Sequence, residues 1–142
     1  MDFITFDEFK SLDIYNDFMK KNPDKGFLKV GITTTNGLLP VEGVRVRIYK
    51  DIGEYNVLFF DGLSDDSGII DNIVLPAPKS LSFTSLNVPE YSNYGMILEK
   101  EGFNTKIINF TVFSNIKVLQ NVLMEKKISI ESTSKYIFFL IK

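Results

Sequence analysis

Gly43-Val44-Arg45-Val46-Arg47-Ile48-Tyr49 alternates apolar and basic side chains. Successive side chains of a strand leave opposite faces of a sheet, so Val44, Val46 and Ile48 share one face and Arg45 and Arg47 the other. The stretch reads as a half-buried strand with a basic outer face. The same period of two extends to either side. Upstream, Leu28, Val30 and Ile32 alternate with Lys29, Gly31 and Thr33, and Asn36-Gly37 supplies a turn. Downstream, Tyr55 to Phe60 is a third strand closed by Asp61-Gly62, and Asp65-Asp66-Ser67-Gly68 is another turn. Ile69-Ile70 and Ile73-Val74-Leu75 follow, with Pro76-Ala77-Pro78 expected to end that strand because proline removes a ladder donor.

Residues 79–93 are rich in Ser and Asn, carry Pro89, and read as a long loop. Tyr94, Met96 and Leu98 alternate next, Glu101-Gly102 turns the chain, and Ile108, Phe110 and Val112 form another strand. Val118, Gln120, Val122 and Met124 mark the last clear one. About seven short strands with turns between them predict an all-β fold, an antiparallel β-sandwich with an N-terminal helical arm. Its core is expected to contain Leu28, Val30, Val46, Ile48, Leu75, Met96, Phe110 and Val122. The organisation is a helical arm over residues 1–25, a sandwich over 26–124 and an apolar tail over 125–142.

In the arm, Thr5 followed by Glu8 fits a capping box, and Phe9, Leu12, Tyr15 or Asn16, and Met19 recur at helical spacing, widened by Phe6 and Phe18. One helix is expected, ending at Asn22-Pro23. In the tail, Tyr136 to Ile141 is an unbroken apolar run that needs cover. Either the two ends pack on their own domain, or they dock on a partner protein in a homo- or hetero-oligomer. On the second reading the contacts are Phe6, Phe9, Leu12, Phe18, Met19, Tyr136, Phe138, Phe139 and Ile141.

Composition excludes several functions. The 142 residues suit one domain, and the hydrophobic fraction of 44% argues against disorder. Sixteen Lys and Arg against eighteen Asp and Glu leave a net charge of −2, with no electrostatic handle on nucleic acid or an anionic membrane. The chain has no Cys and no His. Thiolate catalysis, zinc–thiolate or His-ligated metal sites and a Ser-His-Asp triad are therefore out, and no cofactor is expected. Met1 to Glu8 carries acid where a signal peptide carries Lys or Arg, and no window approaches the roughly 20 apolar residues of a membrane helix. The expectation is synthesis in the cytoplasm without a signal peptide, followed by association with a spore or a particle. Richness in Ile, Lys, Asn, Phe and Tyr points to an AT-rich bacterial or phage genome.

The series Gly43 to Ile48, Asp65-Asp66-Ser67-Gly68, Leu75-Pro76-Ala77-Pro78 and Glu99-Lys100-Glu101-Gly102-Phe103 resembles the carboxypeptidase-regulatory-like family. The stretch Ser64 to Gly68 matches that family's T-D-x-x-G turn with Ser in place of Thr, and Phe113 to Gln120 looks like the version in clostridial peptidoglycan-hydrolase and spore cortex-lytic proteins. The resemblance covers about residues 26–124 and implies a transthyretin-like sandwich. It does not imply peptidase activity, because the zinc peptidase's His and Glu ligands belong to a different domain. The arm and tail lie outside it.

Other constellations have plainer readings. Asp61, Asp65, Asp66 and Asp71 suggest a Ca²⁺ site, but the spacing is not that of an EF-hand and Asp and Gly are ordinary turn residues. Glu90, Glu99 and Glu101 could furnish a glycosidase pair, but nothing marks an acid in an apolar pocket. Arg45, Arg47 and Lys29 could form a basic stripe, against simple cross-strand pairing with acids. Tyr91 and Tyr94 could stack on sugars, with Tyr94 better placed in the core. The function expected is a non-enzymatic interaction module of bacterial cell-wall lysis machinery that positions or restrains a partner, as the resemblance implies. The alternative is a structural subunit of a phage tail or contractile particle, in baseplate or tail assembly, locked to its neighbours by terminal arms. A wall-cleaving enzyme is the third reading and the weakest.

Overall fold

The computed structural model describes residues 1–80 and 90–128. The expected tail contacts Tyr136, Phe138, Phe139 and Ile141 lie outside the described residues.

In chain order the elements are β1 (Ile4–Thr5), α1 (Phe6–Lys10), α2 (Ile14–Lys21), β2 (Asp24–Thr34), β3 (Arg45–Ile52), β4 (Tyr55–Leu63), β5 (Ile69–Ala77), β6 (Ser92–Glu99), β7 (Lys106–Val112) and β8 (Lys117–Met124). They form two sheets, a larger one ordered β1-β4-β3-β6-β7 and a smaller one ordered β5-β2-β8. The fold is the all-β sandwich with a helical N-terminus that the alternating segments predict, of the transthyretin-like kind that the resemblance implies. Two strand pairs depart from a purely antiparallel arrangement. β2 runs parallel to β8, and the short β1 runs parallel to β4.

The register follows the hydrophobic alternation. Val46 and Ile48 of β3 lie beside Leu98 and Met96 of β6, and Leu28 and Val30 of β2 lie beside Val118 and Gln120 of β8. All eight residues expected in the core are buried, Val46 with 0% of its surface exposed. Fixing a strand's face fixes every second side chain, so a correct face in each segment yields the shared core between the sheets.

The arm differs from expectation in one respect. It holds two helices, not one, broken at Ser11–Asp13. The capping box is present, with Glu8 N–H donating to Thr5 Oγ1 and Thr5 N–H to Glu8 Oε1, both at 3.1 Å. One turn later Ser11 Oγ donates to the Glu8 carbonyl at 2.7 Å, a local bond of the kind by which serine competes with helical continuation. The stripe, which the sequence left open to its own domain or to a partner, packs on the chain's own sheet. Phe9 and Phe18 are buried with Val57 of β4, and Phe6, Leu12 and Met19 are partly buried in the same cluster. Helices this short are marginal in water and persist by packing, and the nearest apolar surface is β4.

β5 runs through Pro76 to Ala77, past the expected stop. Pro76 is tolerated because β5 is an edge strand and needs ladder bonds on one side alone.

Candidate functional site

The turn singled out from sequence, Ser64 to Gly68, is a joint between the sheets. Ser64 follows β4 and is buried, with its Oγ accepting the Val44 N–H at 2.9 Å and donating to the Val41 carbonyl at 2.8 Å. Asp65 Oδ1 accepts the N–H groups of Ser67 and Ile69, both at 2.9 Å. Gly68 has φ +72° and its carbonyl accepts the Ile32 N–H of β2 at 2.8 Å. A Cβ there would lie 2.3 Å from the Ile32 carbonyl oxygen, so both conformation and space demand glycine. The motif therefore ties β3 and β4 of the larger sheet to β2 of the smaller one, a structural task.

The acids and bases weighed as candidates are largely engaged with each other. Arg45 holds Asp61 with two bonds, Nε–Oδ1 at 3.0 Å and Nη2–Oδ2 at 2.8 Å, and this holds the Asp61 carboxyl below the usual carboxylate range. Arg47 pairs with Glu99, and Lys117 lies 2.9 Å from Asp71 and lowers its pKa through their hydrogen bond. Asp61, Asp65 and Asp71 thus point to three different partners. Among the described residues no three acidic groups converge on one point. The stripe of Arg45, Arg47 and Lys29 does not form, because Lys29 lies on β2 of the other sheet. Cross-strand pairing claims the two arginines instead.

Tyr94 is a core residue as expected. Its hydroxyl donates to the Pro76 carbonyl of the opposite sheet at 2.6 Å, and burial raises its pKa. Tyr91 is half exposed and its ring lies 6.0 Å from that of Phe113. A cleft beside it is lined by Lys20, Lys21, Lys50, Lys79 and Glu90. Lys50 Nζ donates to the Asn93 carbonyl at 2.7 Å and lies 5.1 Å from the centre of the Tyr94 ring, and burial lowers its pKa. This basic cleft escaped the sequence reading because its lysines come from α2, β3 and the segment after β5, with no pattern linking them.

The surface that does stand out is apolar. Leu38 and Leu39, in the turn after β2, are 76% and 62% exposed, and Leu119 and Leu123 of the edge strand β8 are 66% and 44% exposed. Leu119 and Leu123 lie beside Lys29 and Thr33 on the outer face of the smaller sheet. The alternation of β8 was legible, with Val122 and Met124 inward, but nothing local showed that its outer side would also be leucine-rich and, among the described residues, exposed.

No family model matches the chain, and no curated protein matches it. Solved structures do. A variant of catechol 1,2-dioxygenase from Acinetobacter radioresistens is 12% identical with a TM-score of 0.52, covering 89% of this chain and 57% of that one. The 3-chlorocatechol 1,2-dioxygenase of Rhodococcus opacus is 10% identical with a TM-score of 0.50, over 73% of this chain and 60% of that one. The 5-hydroxyisourate hydrolase of Klebsiella pneumoniae is 16% identical with a TM-score of 0.47, over 72% of this chain and 91% of that one. The chain spans less than two thirds of either dioxygenase. At such identities the likeness is one of fold, which hosts many unrelated activities. No helix among the described residues is long and apolar enough to cross a membrane.

Proposed function

We propose that the chain is a non-enzymatic protein-interaction module of bacterial cell-wall lysis machinery, a rigid sandwich that positions or restrains a partner protein. The observation that carries this reading is the pair of exposed leucine patches, Leu38-Leu39 and Leu119 with Leu123, on a sandwich whose core is already filled. Clustered apolar side chains left in water on a packed domain are a signature of association. The charged groups support it, since Arg45, Arg47 and Lys117 are each neutralised by an acid of the chain itself. The setting comes from the resemblance of Phe113 to Gln120 to clostridial wall-lytic proteins.

Cross-linking the intact chain in its source cells, followed by mass spectrometry, tests the reading. A wall hydrolase joined to the Leu38-Leu39 or Leu119 region supports it. Baseplate or sheath subunits joined there support the rival reading, a structural subunit of a phage tail or contractile particle. Cross-links confined to the chain itself contradict both.

A further inference from the structure

We infer that the recess between the N-terminal arm and β5 is a binding site for a small apolar carboxylic acid, with the ring or alkyl chain inside and the carboxylate at Lys10 and Lys25. The recess lies at the end of β2 opposite Leu38-Leu39, so a ligand there leaves the leucine patches free.

The recess has a volume of 310 Å³. Apolar side chains normally close up against one another and leave few gaps larger than a water molecule, so an apolar recess of this size needs a cause. The cause is the way the arm is fastened. Phe9 and Phe18 bury themselves against Val57 of β4, which holds the helices to the larger sheet and away from β5 of the smaller one. Phe6, Tyr15, Met19 and Phe59 are left half-buried along one wall, the Phe6 ring centre 6.1 Å from that of Tyr15 and 5.3 Å from that of Phe59. Val74, 46% exposed, and Pro76 of β5 form the other wall.

The polar groups decide the class of ligand. A peptide strand added to β5 here would need backbone partners, but Pro76 has no N–H and its carbonyl already accepts the Tyr94 hydroxyl at 2.6 Å. A small molecule held by its apolar body has no such need. Two exposed side chains, Lys10 and Lys25, carry ammonium groups to the mouth. Lysine stems lie along apolar surface while the charged head stays in water, and Lys10 Nζ is 5.1 Å from the centre of the Phe6 ring. Two acids lie near, and neither cancels the pair. Asp24 Oδ2 accepts the hydroxyl of the buried Ser114 at 2.6 Å, which draws this carboxylate toward the end of β7. Asp7 lies 3.7 Å from Lys10 on a side chain 94% exposed, a pair that water screens and a bound carboxylate can replace. Apolar lining with a few charged groups at one end is the usual make-up of a ligand pocket. The volume stands at the lower limit of the roughly 300–1,000 Å³ of such pockets, which suits one ring or a short chain.

Titrating the full-length, isotope-labelled chain with 3-phenylpropionate and following its amide resonances tests the inference. The expected result is saturable shifts confined to the arm, the start of β2 and the end of β5, with a Kd of about 1 mM or tighter, a modest value for so small a ligand. Octanoate should compete for the same site, and the uncharged 3-phenylpropanol should bind about tenfold more weakly. Lys25→Glu should weaken 3-phenylpropionate about tenfold, and Lys25→Arg should leave it unchanged. Val74→Trp, at a half-exposed position, should fill the recess and abolish binding with an unchanged circular dichroism spectrum. Absence of saturable shifts up to about 10 mM overturns the inference. So do shifts centred on Leu119 and Leu123, or binding that survives in a folded Val74→Trp chain. Equal binding of the alcohol and the acid overturns it too, as does indifference to Lys25→Glu. If Val74→Trp fails to fold, the contrast between Lys25→Glu and Lys25→Arg decides.

Discussion

The rings of Phe9 and Phe18 meet edge to face at 5.5 Å, with an interplanar angle of 75°. This contact joins α1 to α2 across the break at Ser11–Asp13, and both rings are buried with Val57 of β4. The arm is thereby part of the fold, a second small core on the edge of the larger sheet. Phe9→Ala should cost about 3–5 kcal/mol, the range for deleting a buried phenylalanine. Urea denaturation measures it. A free docking arm would leave the midpoint unmoved.

Val46 is fully buried between the sheets, beside Gly62 and Leu98 in register. Val46→Asp places a carboxylate there with no partner, a change expected to cost more than about 4 kcal/mol and to unfold much of the population at room temperature. A cooperative melt unchanged from the parent would mean the strand's faces are reversed.

Ser64 serves Val44 and Val41 with one hydroxyl. Ser64→Ala leaves the buried Val44 amide without its acceptor and should destabilise the chain by about 1–3 kcal/mol. Ser64→Thr keeps the hydroxyl and should restore most of that stability. Equal losses from both substitutions would show that packing, and not the hydrogen bonds, holds the joint.

Acid should weaken the fold through two carboxylates. The hydrogen bond from Arg45 lowers the Asp61 pKa, and that from Lys117 lowers the Asp71 pKa. A depressed carboxylate contributes stability above its unfolded value of about 3.9, and the contribution disappears as pH falls through the folded value. The melting temperature should thus be flat near neutrality and fall below about pH 4. Asp61→Asn should make that fall shallower, while costing less than about 1 kcal/mol at neutral pH because the pair is largely exposed. An acid slope identical to the parent's would remove Asp61 from the account.

How far the sequence reached depended on the range of the interaction involved. The faces of β2, β3, β6, β7 and β8 were legible because burial imposes a period of two on neighbouring residues. The Ser64–Gly68 turn was legible because only glycine accepts its left-handed φ so near a carbonyl. The parallel pairing of β2 with β8 was not, since it joins residues about ninety positions apart and leaves no local mark. The helix break was missed because Ser11 and Asp13 are tolerated within helices, and Pro76 misled because edge position is a property of the sheet. Of the candidate residues, Phe6, Phe9, Leu12, Phe18 and Met19 were rightly read as one apolar stripe, but periodicity does not say what covers a stripe. Leu119 and Leu123 drew no notice as a surface, because exposure on the outer face emerges only from the layering.

The central claim is that this chain holds another protein and does not itself cut the cell wall. The most direct measurement is the release of soluble sugar and peptide fragments from purified peptidoglycan by the purified full-length chain, with and without added Zn²⁺. The account expects release no greater than from buffer. Reproducible release that is lost on substituting a single Asp or Glu would contradict it.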